Sequence, residues 1–363
     1  MRAPDARRDV SNATAARGDP AAGVPASIAE IDANWLRKVL RREFSAARLR
    51  GFTPQRIGAD FGFASEVHRL RLQGDRLPAA VVVKLWHNAS AGGLREVQFF
   101  EHFAPAAGPF VPRCHFALGD ADTGRGVLVL EDLSHAVQGD CLDLISAPRA
   151  LALAEALATL HARWRQPPVR LALDWLPPAP SAERGADWHA ERRASFLQRF
   201  PGTLQGPALR LLDRIETRVV IAHRRLAGSH ATLLHRDLHL DNVLFDRRGG
   251  RPILLDWALV ARGSPALDLA LVVFELVDLR DTGAVMTHYL ATLQREGGTD
   301  LDGPGFAALL GAAMLLRFAT ATCGVARWQA ASARGEAIIA AGIDRASRAA
   351  AHWRTLDPEL FGA

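Results

Sequence analysis

The chain contains little of the chemistry that builds disulfide-bonded or zinc-bound proteins. Only three cysteines occur among 363 residues, and they lie far apart without CxxC or Cys/His spacing. Disulfide frameworks and structural zinc sites need several such ligands at short intervals. The sequence therefore argues against both kinds of scaffold, and we expect a reducing compartment, the cytoplasm.

Long apolar runs are also scarce. The longest, Phe306 to Leu316, ends at Arg317, well short of the roughly 20 residues that span a bilayer. We therefore expect a buried helix there and no membrane association. Residues 1–26 have no apolar core of the kind that a secretory signal needs, so we predict a disordered tail.

The basic residues form no stripe. The formal net charge is only +5, and the arginines are spread along the whole chain, so we predict no nucleic-acid binding. The length and an apolar content of 49% suffice for two well-filled domains. Nothing in the sequence indicates the oligomeric state.

Hydrophobic periodicity divides the chain into a β-rich front and a helical back. Short runs rich in Val, Leu and Phe between residues 52 and 86 predict an antiparallel sheet, and residues 126–130 predict a further strand. Helical patterns cover residues 93–103 and most of the chain beyond residue 133. We therefore predict domains at 27–133 and 134–363. One amphipathic helix precedes the sheet, with cap candidates Asp32 and Asn34 and an apolar face of Trp35, Leu36, Val39, Leu40 and Phe44.

A long irregular connection interrupts the helical back. Five prolines, at positions 167, 168, 177, 178 and 180, break the periodicity between residues 166 and 189. Connections of this length in compact domains are more often functional than decorative.

The most informative stretch runs from residue 233 to residue 270. His235, Asp237 and Asn242 form H-x-D-x4-N, and Asp256 follows two short predicted strands that flank a turn at 247–250. Phosphoryl transfer from ATP needs a carboxylate to orient the attacking hydroxyl and hard oxygen ligands to hold Mg²⁺. Asp237 suits the first role, and Asn242 and Asp256 suit the second.

Ordinary loop residues are the alternative, because Asp and Asn favour turns. However, the chain has only four asparagines, so composition alone gives this spacing on the order of one time in a hundred. For His235 we favour a structural role, supporting the loop, over direct catalysis.

The runs HRDLHLDN and DWALVARGSPALDLA resemble the catalytic and metal-binding segments of aminoglycoside phosphotransferases, choline kinases and ecdysteroid-kinase-like proteins. The likeness to protein kinases is weaker, because His239 replaces a lysine, no glycine follows Asp256 as in DFG, and no APE segment occurs. The resemblance implies an α+β, two-lobed protein-kinase-like fold, with a small amino-terminal lobe containing an antiparallel sheet and a larger, mostly helical carboxyl-terminal lobe. It also implies ATP and Mg²⁺ as cofactors, a small-molecule acceptor, and support of the catalytic loop by His235 and Asp268.

The resemblance extends from about residue 35 onward, with weaker motifs outside 233–270. Lys84 ends an apolar strand where the family places the lysine that grips the nucleotide phosphates, and Lys38 is the only other lysine. Glu96 falls where the family places its partner, with Glu101 as a competitor. This fold requires Lys84 and Asp256 on the same face.

Two further nucleotide contacts are implied with less motif support. Gly62 and Ser65 lie in a loose Gly/Ser-containing turn where a phosphate-binding loop is expected, although a plain hairpin turn looks the same. The backbone of Glu131 and Leu133 is expected to meet adenine. Relatives vary acceptor contacts in the helical lobe, so we expect residues 166–189 to border the acceptor pocket.

Three functions remain open from the sequence. The leading one is a kinase that phosphorylates a hydroxyl of an antibiotic or related natural product; the second is a kinase for a metabolite such as an amino alcohol, sugar or sterol-like alcohol. A cationic acceptor calls for carboxylates near Asp237, whereas a neutral or acidic one suits arginines. An inactive ATP-binding pseudokinase is disfavoured because Lys84, Asp237, Asn242 and Asp256 are all present. The acidic candidates are Asp241, Glu275 and Asp278, and the basic ones are Arg236 and Arg262.

Overall fold

The computed structural model describes residues 22–58, 65–87, 91–165, 175–180, 185–227, 229, 231–248, 250–297 and 301–362. The predicted tail, 1–26, lies outside these residues as far as residue 21. The chain divides into two compact units, the first of which runs to Val137 and also takes in Ile253–Leu259. The second comprises Gln138–Pro252 and Val260 onward. The segment around Asp256 is therefore part of the first unit.

A five-stranded sheet forms the centre of the first unit. The strands lie in the spatial order β1-β2-β3-β5-β4, and every neighbouring pair is antiparallel. The bounds are β1 (Arg48–Ile57), β2 (Glu66–Asp75), β3 (Ala80–Trp86), β4 (Cys114–Asp120) and β5 (Arg125–Glu131). Pro54 is tolerated because β1 is an edge strand, where a missing N–H donor breaks no ladder.

The core of this unit follows from the alternation of side chains along β3. Val81, Val83 and Leu85 point to one face and are fully buried against α1 (Ala33–Leu40). Helix α1 begins after Asp32, whose carboxylate accepts a hydrogen bond from the Trp35 N–H at 2.7 Å. Of the two predicted caps, Asp32 is the one used. A second helix, α2 (Ala91–His102), follows β3.

The second unit is mostly helical. Its only strands among the described residues are short, and they include β7 (Pro178–Ala179), β8 (Thr232–Leu234), β9 (Val243–Phe245) and β11 (Ala261–Gly263), with β6 (Val137–Gln138) and β10 (Pro252–Leu254) at the unit boundaries. The helices are α3 (Ala147–Trp164), α4 (Ala186–Arg199), α5 (Gly206–Leu212), α6 (Ile215–Ala227), α7 (Ala266–Phe274), α8 (Thr282–Arg295), α9 (Gly303–Ala319), α10 (Ala333–Leu356) and α11 (Pro358–Phe361). The predicted α+β class is confirmed.

Two details of the sheet differ from the sequence prediction. Strand β1 begins at Arg48 rather than near Phe52, and β4 was not predicted. Strand β4 contains no β-branched residue and reads CHFALGD, so its local propensity is weak. It forms because it pairs along β5, where Phe116 and Ala117 are buried.

Helix α9 contains the longest apolar run and continues into a π-helical turn, Thr320–Gly324. By length and composition the stretch Gly303–Gly324 could cross a membrane, but 67% of its apolar window is buried inside the structure. This confirms the predicted buried helix, and the core of the second unit depends on it.

Replacing Leu315 with alanine is expected to lower the free energy of unfolding by roughly 2–5 kcal/mol, because the side chain is fully buried and leaves a cavity. Leu356, also helical but 56% exposed, is the matched control. Leu356→Ala is expected to change stability by about 0.5 kcal/mol or less. Urea denaturation measures both, and equal losses would contradict the burial of α9.

Candidate active site

A buried aspartate holds the predicted catalytic loop. Strand β8 pairs with β11 and delivers the chain to His235. There the Asp268 carboxylate, on α7 and fully buried, accepts hydrogen bonds from the N–H groups of His235 at 2.7 Å and Arg236 at 2.9 Å. His161 Nε2 lies 3.4 Å from the same carboxylate. The loop backbone is thus bound to a buried charge.

Arg236 adopts a left-handed backbone conformation, with φ of 74°. A non-glycine residue rarely adopts this conformation, which costs roughly 1–3 kcal/mol and persists only where surrounding contacts impose it. The paired hydrogen bonds to Asp268 are such contacts. They turn the chain sharply between buried His235 and half-buried Asp237.

Asp237, His239 and Asn242 form one hydrogen-bonded group at the end of this loop. Asn242 Nδ2 lies 2.9 Å from the Asp237 carbonyl oxygen, 3.2 Å from its carboxylate Oδ2 and 3.0 Å from His239 Nε2. His239 Nε2 is 3.6 Å from Asp237 Oδ2. A 3-10 turn, Leu240–Asn242, sets this spacing. The structure therefore brings together two of the predicted site residues, with His239 as a third member.

The Asp237 carboxylate is ionised in this setting. Burial alone raises its pKa, but His239, whose Nε2 lies 3.6 Å away, lowers the pKa below its usual value, with smaller contributions from the charges of His235 and Arg317. In return, the pKa of His239 is raised by Asp237 despite burial. A carboxylate kept ionised beside a polar group can receive a hydrogen bond from a hydroxyl.

In the first unit, Lys84 contacts two carboxylates. Its Nζ lies 2.7 Å from Glu96 Oε2 and 3.1 Å from Asp256 Oδ1. Lys84 stands on β3 opposite Leu128, and Glu96 stands on α2. Lys84 and Asp256 therefore lie on the same face, as the predicted fold requires. Of the two candidate glutamates, Glu96 is the one that pairs with Lys84, at 2.7 Å.

Trp257 fixes the segment that carries Asp256. Its indole stacks on Phe99 with a centroid distance of 3.9 Å and an angle of 6°. Its backbone N–H donates to Glu96 Oε1 at 3.2 Å. Asp256 itself has φ of 60°, a second left-handed non-glycine residue. Glu96 therefore joins the lysine, the helix and this segment.

Burial and charge act in opposite directions on this ion pair. Burial alone lowers the pKa of Lys84, but the charges of Glu96 and Asp256 raise it above its usual value. Burial raises the pKa of Glu96 to about 7, although Lys84 opposes the shift. The lysine is therefore fully protonated, as phosphate binding requires.

The structure describes three of the four remaining predicted nucleotide contacts. Gly62 lies outside the described residues, and Ser65 directly precedes β2 without a side-chain hydrogen bond to any described residue. Glu131 ends β5, and its N–H donates to the Arg113 carbonyl at 2.9 Å. The Leu133 carbonyl accepts from the Ala136 N–H at 2.9 Å, whereas the Leu133 N–H donates to no described residue.

Part of the predicted acceptor segment, 166–189, is described. Residues 166–174 and 181–184 lie outside the described residues. Strand β7 within it runs parallel to β11, which also pairs with β8 immediately before His235. The segment is therefore joined to the sheet that leads into the predicted catalytic loop.

Each unit offers an oxygen donor of the kind that suits Mg²⁺, the metal that the family resemblance implies. Asn242 directs its amide nitrogen to Asp237 and leaves its amide oxygen without a described partner. The Asp256 side chain is 39% exposed, and its described contacts all use Oδ1, which leaves Oδ2 free. Carboxylate and amide oxygens are hard ligands of the kind that Mg²⁺ prefers.

The sequence contains little signal for several residues of these groups. His239 is visible there only as a departure from the protein-kinase pattern, and Arg317 only as the charge that ends an apolar run. His161, which contacts Asp268, had no local signal, because it lies 107 positions away in the chain. The i and i+2 spacing of Asp237 and His239 was the one available cue.

Comparisons with known proteins identify the family of the chain. Residues 62–310 match the profile of the phosphotransferase enzyme family, APH. The chain therefore belongs to that family. It is a phosphotransferase that acts on a hydroxyl group of a small molecule, as predicted, and family membership implies a nucleotide donor. No protein of curated function matches the chain.

Solved structures of small-molecule kinases share the fold. Choline kinase from Streptococcus pneumoniae is 14% identical, with a TM-score of 0.50 over 86% of this chain and 99% of its own. Spectinomycin phosphotransferase, solved with ADP and spectinomycin, is 12% identical, with a TM-score of 0.52 over 88% and 99%. Macrolide 2′-phosphotransferase type I is 17% identical, with a TM-score of 0.50 over 88% and 98%. The predicted protein-kinase-like fold is confirmed.

Replacing Asp268 with asparagine is expected to lower the free energy of unfolding by roughly 3–5 kcal/mol, because one of the two N–H groups loses a buried charged acceptor. Asp344→Asn, at an exposed position of α10, is the control. Because the pKa of Asp268 is lowered from 3.8, its charge stabilises the fold above about pH 4 and less as the pH falls further. In urea denaturation, the difference in free energy of unfolding between the parent and Asp268→Asn should therefore be smaller at pH 3.5 than at pH 7. An equal difference at both pH values would contradict the assignment.

Proposed function

We propose that the chain transfers the γ-phosphoryl group of ATP to a hydroxyl of a small molecule, an antibiotic or related natural product, in the cytoplasm. The observation that carries this proposal is the group formed by Asp237, His239 and Asn242. It presents an ionised carboxylate that accepts a hydrogen bond from an amide and lies 3.6 Å from an imidazole. A hydroxyl needs such a carboxylate for orientation in phosphoryl transfer.

In the proposed reaction Asp237 accepts a hydrogen bond from the acceptor hydroxyl and takes its proton as the hydroxyl oxygen bonds to the γ-phosphorus. The bond from that phosphorus to the β–γ bridging oxygen breaks, ADP leaves, and Asp237 returns the proton to solvent. His239 and Asn242 hold the carboxylate in place. They also favour its ionised form before the acceptor arrives.

Lys84 is proposed to bind the α- and β-phosphates, oriented by Glu96 at 2.7 Å. Asn242 and Asp256 would hold Mg²⁺, which neutralises phosphate charge when bound. The backbone of Glu131 and Leu133 is proposed to meet adenine, with the free Leu133 N–H as donor. Gly62 and Ser65 remain proposed phosphate contacts, and His235 and Asp268 support the loop.

A metabolite kinase is a second candidate, and one observation favours it over an enzyme for polycationic antibiotics. The carboxylates that a cationic acceptor requires are each paired with an arginine already. Asp241 lies 2.9 Å from Arg334, Glu275 lies 2.8 Å from Arg345, and Asp278 lies 2.7 Å from Arg280. These pairs leave little negative charge for an aminoglycoside.

Replacing Asp237 with asparagine is expected to lower kcat by about 10²–10⁴-fold, because the variant cannot take the hydroxyl proton. Mg²⁺–ATP affinity, measured by calorimetry, should be unchanged. Asp344→Asn is the control and should keep full turnover on any acceptor found by screening antibiotics, sugars and amino alcohols with labelled ATP. Near-normal turnover by Asp237→Asn would refute the proposed role.

Replacing Asp256 with alanine is expected to weaken Mg²⁺-dependent ATP binding as well as turnover, because a charged metal ligand is lost. Asn242→Ala should show a milder form of the same defect that added Mg²⁺ partly restores. Calorimetry at two Mg²⁺ concentrations separates these effects. ATP binding by Asp256→Ala equal to that of the parent would exclude Asp256 as a metal ligand.

A further inference from the structure

The Lys84 ammonium also contacts an aromatic ring. Its Nζ lies over the ring of Trp86, 5.0 Å from the ring centroid. Residues two positions apart on a strand share a face, so both side chains project from the same side of β3. An ammonium within about 6 Å of an indole face is attracted by the negative charge of the π system. The cation that is proposed to bind phosphates is therefore held by an aromatic face as well as by carboxylates.

The indole of Trp86 is itself fixed between two glycines and is only 1% exposed. Trp86 lies opposite Gly126 of β5, where a Cβ atom would stand 3.3 Å from the ring carbon Cε3. A Cβ atom on Gly93 of α2 would stand 2.5 Å from Cγ and 2.7 Å from Cδ1 of the same ring. The strand and the helix approach the ring this closely because neither position carries a side chain.

Gly93 is an unfavourable residue for a helix, so its position within α2 needs a reason. Glycine is the poorest helix former after proline, but any larger residue here would displace either the helix or the indole of Trp86. Glu96 follows three positions later, on the same side of the helix. Its Oε2 lies 2.7 Å from Lys84 Nζ. The contact between Gly93 and Trp86 therefore sets the distance at which α2 presents Glu96 to the lysine.

Core filling is the alternative explanation for Trp86, because a buried ring adds apolar contacts whatever lies over it. On the opposite face of β3, Val81, Val83 and Leu85 fill the core without an aromatic ring. The two explanations differ in one respect. A ring that only fills space acts independently of the charge of Lys84, whereas a ring that holds the ammonium loses its effect when that charge is removed.

We propose that Trp86 is a positioning residue of the nucleotide site, whose indole holds the Lys84 ammonium beside Glu96 before the nucleotide binds. This inference rests on the proposed kinase function and deepens it. A lysine stem loses much rotamer freedom when it binds a ligand, and this loss weakens binding. Because Trp86 restricts the stem in advance, the phosphates meet a cation that is already in place.

Nucleotide affinity tests this role without an acceptor. Calorimetry measures the Kd of Mg²⁺–ATP for the parent, Trp86→Phe and Trp86→Leu. Trp86→Leu should weaken binding about 5- to 30-fold, and Trp86→Phe, which keeps an aromatic face, should weaken it less. Trp328→Leu, at a position that is 36% exposed, is the control and should bind as the parent does.

A double-mutant cycle separates positioning from core filling. Lys84→Met should bind Mg²⁺–ATP more weakly than the parent, and adding Trp86→Leu should cost less than about two-fold more, because no cation remains over the ring. If Trp86→Leu does not fold, Trp86→Phe takes its place in the cycle. An equal loss from the Trp86 substitution with and without the Lys84 ammonium would make Trp86 a core residue only and overturn the inference.

A second cycle tests the contact with the helix. Gly93→Ala should weaken Mg²⁺–ATP binding about 3- to 10-fold in the parent, because the added methyl group displaces the indole or α2. It should add little in Trp86→Leu, where the shorter side chain leaves room. Gly342→Ala, on α10 with nothing within 4 Å of the new Cβ, is the matched control. Independent effects of the Gly93 and Trp86 substitutions, or equal losses for Trp86→Phe and Trp86→Leu, would also overturn the inference.

Failure of the parent to bind Mg²⁺–ATP would instead refute the proposed function. The cycle between Lys84 and Trp86 would then be measured by urea denaturation of the chain without nucleotide. Trp86→Phe should be more stable than Trp86→Leu when Lys84 is present, and this preference should disappear in Lys84→Met. A preference that persists in Lys84→Met would exclude an interaction between the ammonium and the ring.

Discussion

The second unit depends on one buried carboxylate. Asp268 is fully buried, yet it remains ionised because two backbone N–H groups and His161 compensate its charge. An uncompensated buried charge costs several kcal/mol, so the carboxylate and the loop constrain each other. The left-handed turn at Arg236 is the visible consequence. The position of Asp237, which follows that turn, therefore depends on Asp268 as well as on the residues adjacent to it in the chain.

The first unit uses buried charge in the same way. The Lys84 ammonium lies within 3.1 Å of a carboxylate oxygen of both Glu96 and Asp256. Glu96 also binds the Trp257 backbone, so a single glutamate links the lysine strand to the segment that follows β10. Stacking of Trp257 on Phe99 adds an apolar anchor. The Asp-Trp pair, where protein kinases have Asp-Phe-Gly, is therefore positioned by its tryptophan.

The distribution of arginine charge bears on the acceptor. Three arginines of the second unit, Arg334, Arg345 and Arg348, neutralise carboxylates or bind carbonyls. Asp241, beside Asn242, also accepts from the Cys141 N–H at 2.8 Å. These contacts stiffen the support around the proposed metal ligand.

Local sequence determined the loop that contains Asp237, the strands on either side of the turn at 247–250 and the helix behind Asp32. These elements depend on spacing, alternation and caps within a few residues. The H-x-D-x4-N pattern singled out Asp237 and Asn242, whose side chains the structure joins by a hydrogen bond. Family membership also followed from motifs confined to residues 233–270.

Only the tertiary structure decided the rest. It chose Glu96 over Glu101, formed β4 against its weak propensity, and brought His161 to Asp268 across 107 positions of sequence. It also showed that Glu275 is already paired with Arg345. The physical reason is that periodicity reports only which face of an element is buried, whereas the pairing of charges depends on distances between elements that are remote in the chain.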